Sequence, residues 1–502
     1  MSSRQDQRKK RLKLNTATSL ILQVTTIICG FILPRLILQN FGSDVNGLVN
    51  SITQFLSIVA FLELGVGSVV QSALYRPLAE KNSIEISKIY VSANKFFRVI
   101  ASILAFYIVG LIVLFPQLSS NKYDFIFTAT LIGAMSINSF AQYYFGVVDK
   151  LILTADQRGY IQYLSQICAL IINTIACVIL INLGANIQII KLTTSIIFLI
   201  RPIVIRFIVN KYYSIDKHVT YDEEPIQQKW NGVAQHIAAV VLDGTDVIVL
   251  TVFATLSEVS IYSIYNLVVY GVKQLFTSMT SGVQALAGEL LARKEYDELN
   301  HLFSKIEWGI HTGVIFVFGC TASLIVPFVQ VYTMGVNDAN YTVPLFALLI
   351  TIANAMHCLR LPYNMMILAG GHYKQTQSNY IIAAIMNITI SIVMVYEVGL
   401  IGVAIGTICA MLYQTLWMAR YISNNIIKWP IKYFVKQLGV DIITFVICFS
   451  ASMIIPFKEI SIVSWVLLAL ERSVLWGIGI IIINSLMYKE HMRFLLKRFV
   501  RK

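Results

Sequence analysis

Apolar positions along this chain run on without alternation, and polar positions collect in the short gaps between them. An uninterrupted apolar stretch of about 18 or more residues crosses a hydrocarbon core of about 30 Å as a helix, whereas strands of a membrane barrel alternate every second residue. The pattern predicts spans at 15–39, 45–71, 92–116, 123–148, 158–183, 187–209, 230–254, 258–285, 304–330, 342–369, 375–397, 399–421, 433–456 and 461–487, about fourteen in all. The expected fold is an all-α polytopic membrane protein: two parallel six-helix lobes around a central cavity, plus two C-terminal helices.

Polar gaps divide the chain unevenly. The longest, KYYSIDKHVTYDEEPIQQKW at 211–230, follows the sixth span and reads as a linker between lobes. This gives an N-lobe at 1–210, a cytoplasmic linker at 211–229, a C-lobe at 230–425, and a C-terminal pair of spans with a basic tail at 426–502. An ungapped offset of 212 pairs Gln23 with Gln235, Phe41 with Phe253, Ser51 with Ser263, Ala73 with Ala285 and Leu78 with Leu290. The shared span phase favours duplication, and an even number of spans per unit makes the repeats parallel.

Composition agrees with the pattern. The 502 residues are 57% hydrophobic and 13% charged, with a mean hydropathy of +0.71. The net charge of +13 would suggest nucleic acid in a soluble protein. Here it is absorbed by topology, because about 32 of the 39 Lys and Arg residues fall in alternate gaps, as a positive-inside chain requires. Both ends are expected in the cytoplasm, and nucleic-acid binding is not expected. The basic N-terminus MSSRQDQRKKRLKL precedes a long apolar stretch without a small-residue cleavage site, so it reads as a retained first span. Each of the seven Cys lies in an apolar span without close pairing and reads as a small core residue.

Seven basic residues resist the cytoplasmic pattern: Arg35, Lys122, Lys191, Lys273, Arg360, Lys458 and Arg472. Lys122 and Lys458 fall in outer gaps, and Lys191 and Arg472 are expected to snorkel to an interface. Arg35 follows Pro34, Lys273 is mid-span, and Arg360 stands close to Pro362. A cation inside a span costs about 2.5–3.5 kcal/mol on insertion scales, so these three are the candidate anion-binding residues.

Lys273 shares a helical face with Asn266, Tyr270, Thr277, Thr280 and Gln284. Span 2 offers a second polar stripe with Glu63 at its edge, and span 10 places His357, Arg360 and Asn364 on one face. Such stripes serve either helix-to-helix hydrogen bonding or a hydrated cavity. Asp243 and Asp246 lie inside span 7, which suggests cation or proton coupling, although a neutralised ion pair would explain them too. No P-loop, HExxH or Gly-rich dinucleotide loop is present, and the short outer gaps leave no room for a catalytic domain. A transporter is therefore expected, with no catalytic residue and no metal beyond sodium.

The stretch from Leu36 to Tyr90 resembles the start of bacterial polysaccharide-unit flippases, for O-antigen or capsule repeat units, within the multidrug, oligosaccharidyl-lipid and polysaccharide exporter superfamily. A phrase of the type LG-x-x-x-x-GL before span 2 is matched by Phe41, Gly42, Gly47 and Leu48. A phrase of the type DLGLG is matched by Glu63, Leu64, Gly65, Val66 and Gly67, with Arg76 as the following basic residue. The resemblance implies export of undecaprenyl-diphosphate-linked oligosaccharide to the outer leaflet of the bacterial inner membrane by alternating access, for cell-surface polysaccharide assembly. It also implies a setting of membrane lipids, glycosyltransferases and a polysaccharide polymerase. By likeness to related lipid-linked precursor flippases, Asp243 or Asp246, Asn387 and Thr407 are counterparts of a sodium site, with sodium or proton coupling both open. The rival readings are a multidrug exporter of the same superfamily, which would favour an acidic cavity, and a membrane glycosyltransferase or polymerase, which would favour a large outer loop.

Overall fold

The computed structural model describes residues 2–58, 61–119, 122–226, 233–427 and 429–493. It is all-helical, as continuous apolarity demands, since in lipid a helix satisfies every backbone group within one segment. Eleven helices are long and apolar enough to cross a membrane among the described residues, so this is a multi-pass membrane protein. The other expected spans fall on α2 (Phe61–Glu80), α8 (Val233–Phe253) and α9 (Leu256–Arg293). Residues 59 and 60, which divide the second expected span, lie outside the described residues.

The chain forms two compact units, one of 1–240 with 255–259 and one of 241–254 with 260–502. The first is built from α1 (Ser2–Ser57), α2, α3 (Ser83–Leu118), α4 (Phe125–Ala141), a π-helical turn (Gln142–Gly146), α5 (Val147–Ala155), α6 (Gly159–Asn182) and α7 (Ile187–Tyr212). Helix α1 runs through the first expected span into the second and kinks at Gly42, where φ is 83° and ψ 174°. Glycine reaches that conformation at little cost because it has no Cβ. A few residues on, a Cβ at Gly47 would stand 1.8 Å from the Leu256 carbonyl oxygen, so this glycine lets the α8–α9 connection seat on α1. Both glycines of the LG-x-x-x-x-GL phrase thus have a backbone reason.

At the opposite end of α1, Asp156 gathers charge. It accepts from Arg11 at 3.2 Å and the Tyr213 hydroxyl at 2.6 Å, and pairs in charge with Arg158 at 2.8 Å. Burial and the neighbouring Asp156 carboxylate push the Tyr213 phenol well up from its usual range. This ties the start of α1 to the α5–α6 turn and the end of α7.

The second unit comprises most of α8 and α9, then α10 (Tyr296–Tyr332), α11 (Pro344–Leu359), α12 (Leu361–Ala369), α13 (Tyr373–Val398), α14 (Leu400–Asn425), α15 (Ile431–Met453) and α16 (Ile462–Met487). Expected span 10 is broken in two at Arg360, where Pro362 opens the second piece. Trp476 packs fully buried between α10, α15 and α16. Arg472 corrects the expectation of snorkelling. It is buried and donates to the backbone carbonyls of Ser323 and, at 2.7 Å, Ile455. The Ser323 carbonyl lies inside α10, where Pro327 four residues on has no N–H to offer it, and Ile455 follows the end of α15. The guanidinium thus serves acceptors the helices leave open and is held inside the bundle. Lys122, placed in an outer gap by sequence, pairs with Asp44 at 2.6 Å, and Asp44 also accepts from Ser257 at 2.8 Å.

Candidate ion and anion sites

Helix α9 carries Lys273 among aromatic and aliphatic neighbours that pack on α10 and α11. The side chain is 6% exposed, and its ammonium lies 5.1 Å from the Tyr270 ring centre. Along the expected stripe, Thr280 is buried, Asn266, Thr277 and Gln284 are half-buried, and Tyr270 is 47% exposed. Thr277 and Thr280 donate to carbonyls one turn back, at 3.0 Å each, so part of the stripe serves the helix itself.

Arg360 is 5% exposed at the α11–α12 break. It donates to the Gln414 side-chain oxygen on α14 and lies 3.3 Å from His357 Nδ1 and 5.9 Å from the Tyr380 ring centre. Its Nε and the Gln414 Nε2 are buried donors without a partner. Asn364 accepts from the Tyr380 hydroxyl at 2.5 Å, which closes a polar patch from α12, α13 and α14 around the guanidinium. Lys273 and Arg360 both act electrostatically on Cys358, so the second unit gathers two cations in one neighbourhood. Arg35 lies half-buried on α1, in the first unit.

A separate group forms around Asp246, which is 8% exposed on α8. The Thr407 hydroxyl on α14 lies 3.3 and 3.2 Å from its two oxygens, and Tyr262 donates to Oδ2 at 2.9 Å. Asn387 on α13 donates to Thr407 Oγ1 at 3.4 Å and accepts from Ser391 at 3.1 Å. The structure therefore links Asp246, Asn387 and Thr407, and adds Tyr262 and Ser391. The side chains of Glu63 and Asp243 lie outside the described residues.

Sequence reasoning passed over a third polar group, formed by Glu307 and His311 on α10, Tyr363 on α12, and Gln437 and Asp441 on α15. The signal was in the spacing: Glu307 and His311, like Gln437 and Asp441, are four apart inside apolar spans and so share a helical face. Asp149 was passed over as well; it is fully buried on α5 and accepts from Tyr90 at 2.9 Å.

Neither a family model nor a curated protein matches this chain. Solved structures do. The lipid II flippase MurJ in an inward closed conformation superposes with a TM-score of 0.67 at 16% identity, over 95% of this chain and 99% of that one. The fold is that of MurJ and the MATE transporters. The eukaryotic MATE transporter AtDTX14 aligns with a TM-score of 0.56 at 11% identity, over 84% of this chain and 96% of that one. A point mutant of the Vibrio cholerae MATE transporter VcmN gives 0.54 at 12%, over 83% and 99%. The MurJ alignment covers nearly all of the chain, whereas the MATE alignments leave a larger part uncovered.

Proposed function

We propose that this protein is a flippase that moves undecaprenyl-diphosphate-linked oligosaccharide units across the bacterial inner membrane for cell-surface polysaccharide assembly. One observation carries the reading: Lys273 and Arg360 are both buried in the second unit of a MurJ-like bundle. A diphosphate headgroup that crosses within spans needs cations to stand in for its water, and a buried ammonium and guanidinium bind phosphate oxygens through charge-assisted hydrogen bonds. Arg360 has a buried Nε without a partner, and its planar fork suits phosphate oxygens. Arg35, half-buried on α1, is the third proposed anion contact. Around them Tyr270, His357, Asn364 and Gln284 offer hydrogen bonds to sugars. Rocking of one unit against the other would alternate access to the site.

The Asp246 group supplies the coupling-ion site in this reading. A carboxylate, two hydroxyls and an amide are hard oxygen donors, which suit sodium. Asp246, Thr407 and Asn387 would hold the cation and Tyr262 would hold the carboxylate, while the cation would lower the cost of the buried charge. A multidrug exporter would carry its substrate contacts on acids, and two buried cations in the second unit disfavour it.

The test is genetic. Lys273→Ala with Arg360→Ala should abolish surface polymer in cells that depend on this protein, while membrane fractions retain folded protein. Normal polymer on those cells would overturn the assignment.

A further inference from the structure

The second unit holds a chain of buried titratable groups that neither the anion residues nor the Asp246 group uses. Tyr363 Oη is 2.6 Å from Glu307 Oε1 and 3.3 Å from His311 Nε2. Across the imidazole, His311 Nδ1 is 2.6 Å from Asp441 Oδ2, and the ring also meets the Leu359 backbone on α11. Gln437 donates to Asp441 Oδ1 at 3.1 Å, and the Trp429 indole donates to Glu307 Oε2 at 3.1 Å. Tyr488, beyond α16, feels both carboxylates. Glu307, His311 and Asp441 are 4%, 1% and 4% exposed.

Glu307 also has an outlet. With Trp429 and Gln437 it lines a cavity of about 960 Å³, where α10 and α15 begin and α16 ends. Lys305, Lys436 and His491 line the same cavity. The basic residues after α16 mark this end as cytoplasmic under the positive-inside rule. Glu307 and Asp441 flank the imidazole from opposite sides in a line, an arrangement that passes protons and does not converge on a metal.

We propose that this chain is a proton-binding site, loaded at Glu307 from the cavity and holding its proton on His311 against Asp441. The transfer balances without any other reactant. With Glu307 protonated, its O–H donates to the Tyr363 oxygen, and the Tyr363 O–H donates to His311 Nε2. The Glu307 proton then moves to the Tyr363 oxygen as the tyrosine proton moves to Nε2. Afterwards Tyr363 donates to the Glu307 carboxylate, and the imidazolium donates from Nε2 to Tyr363 and from Nδ1 to Asp441. Glu307 is then free to take a second proton, which neutralises the group. Two carboxylates left ionised beside a neutral imidazole would be a costly arrangement inside a span, so proton uptake is the route by which the cluster stays buried. Tyr363 is three residues beyond Arg360 on the broken span, so the position of the proton acts on the segment that carries the guanidinium. The site holds whichever substrate is carried.

The experiment is pH-difference infrared spectroscopy of the full chain in lipid nanodiscs, with no substrate present. As pH falls, a carboxylic-acid carbonyl band and an imidazolium ring mode should appear. Glu307→Gln should remove one component of the carbonyl band relative to wild type, and Asp246→Asn should leave that component. Tyr363→Phe, which deletes one hydroxyl and keeps Glu307, His311 and Asp441, should retain the Glu307 carbonyl component and lose the part of the imidazolium mode that His311→Asn also removes. Identical spectra in wild type and Glu307→Gln, or an imidazolium mode untouched in Tyr363→Phe, would overturn the proposal. Neither result depends on a lipid-linked substrate, so failure here would leave the flippase reading standing.

Discussion

Thr407 Oγ1 lies within 3.3 Å of both oxygens of Asp246, although the two residues are 161 positions apart. One hydroxyl cannot satisfy a buried carboxylate, and Tyr262 at 2.9 Å supplies a second donor. A bound cation would take up part of the carboxylate's charge. Asp246→Asn should keep both hydrogen-bonding partners and remove the charge. Transport by this variant should fall about tenfold or more, the loss of one charged contact, and should no longer respond to an imposed sodium gradient. Thr407→Val should weaken the sodium response without abolishing it. Rates measured in proteoliposomes with sodium or choline outside check both outcomes.

Gly47 faces the Leu256 carbonyl oxygen, with only 1.8 Å from an added Cβ to that atom. Gly47→Val must push the α8–α9 connection off α1, and overpacking of this kind costs about 1–3 kcal/mol. A lower unfolding midpoint in detergent, with reduced transport, is the expected result. A variant as stable as wild type would show that the connection seats elsewhere.

The spans were legible because lipid leaves a chain no alternative to long apolar helices. The kink at Gly42 was visible only as a motif residue, since nothing in the local pattern says which glycine turns the chain. The reading of ionisable residues was less even. It ranked cations by their conflict with topology, which singled out Arg35, Lys273 and Arg360. The acids and the histidine of the Glu307–Asp441 chain carry no conflict with the positive-inside pattern and so fell outside that ranking. Arg472 shows the converse limit: its partners are the carbonyls of Ser323 and Ile455, and carbonyl partners leave no trace in a pattern of side chains.

Arg472→Ala would strip those carbonyls of their donor and open a cavity beside Trp476 and its cluster. The expected loss is about 2–4 kcal/mol, from unsatisfied carbonyls and lost packing together. Arg472→Lys should recover only part, because an ammonium lacks the fork that reaches both carbonyls. Thermal unfolding of the three proteins, followed by the fluorescence of buried tryptophan, orders them.

Asp156 joins α1, the α5–α6 turn and the end of α7 through Arg11, Arg158 and Tyr213. Asp156→Asn weakens two charged contacts and turns one acceptor into a donor. A stability loss of about 1–3 kcal/mol is expected for these partly exposed groups. The loss should shrink in high salt, because the ion-pair part is screened. Denaturation at low and high ionic strength measures the difference.

The central claim is that Lys273 and Arg360 hold a diphosphate headgroup as it crosses the membrane. The most direct measurement is translocation of fluorescent undecaprenyl-diphosphate-linked oligosaccharide in proteoliposomes that contain only this protein. Wild-type protein should move the lipid between leaflets, and the Lys273→Ala, Arg360→Ala double variant should be slower by about a hundredfold, as loss of two charge-assisted contacts predicts. Equal rates for wild type, double variant and protein-free vesicles, or a double variant as fast as wild type, would contradict the account.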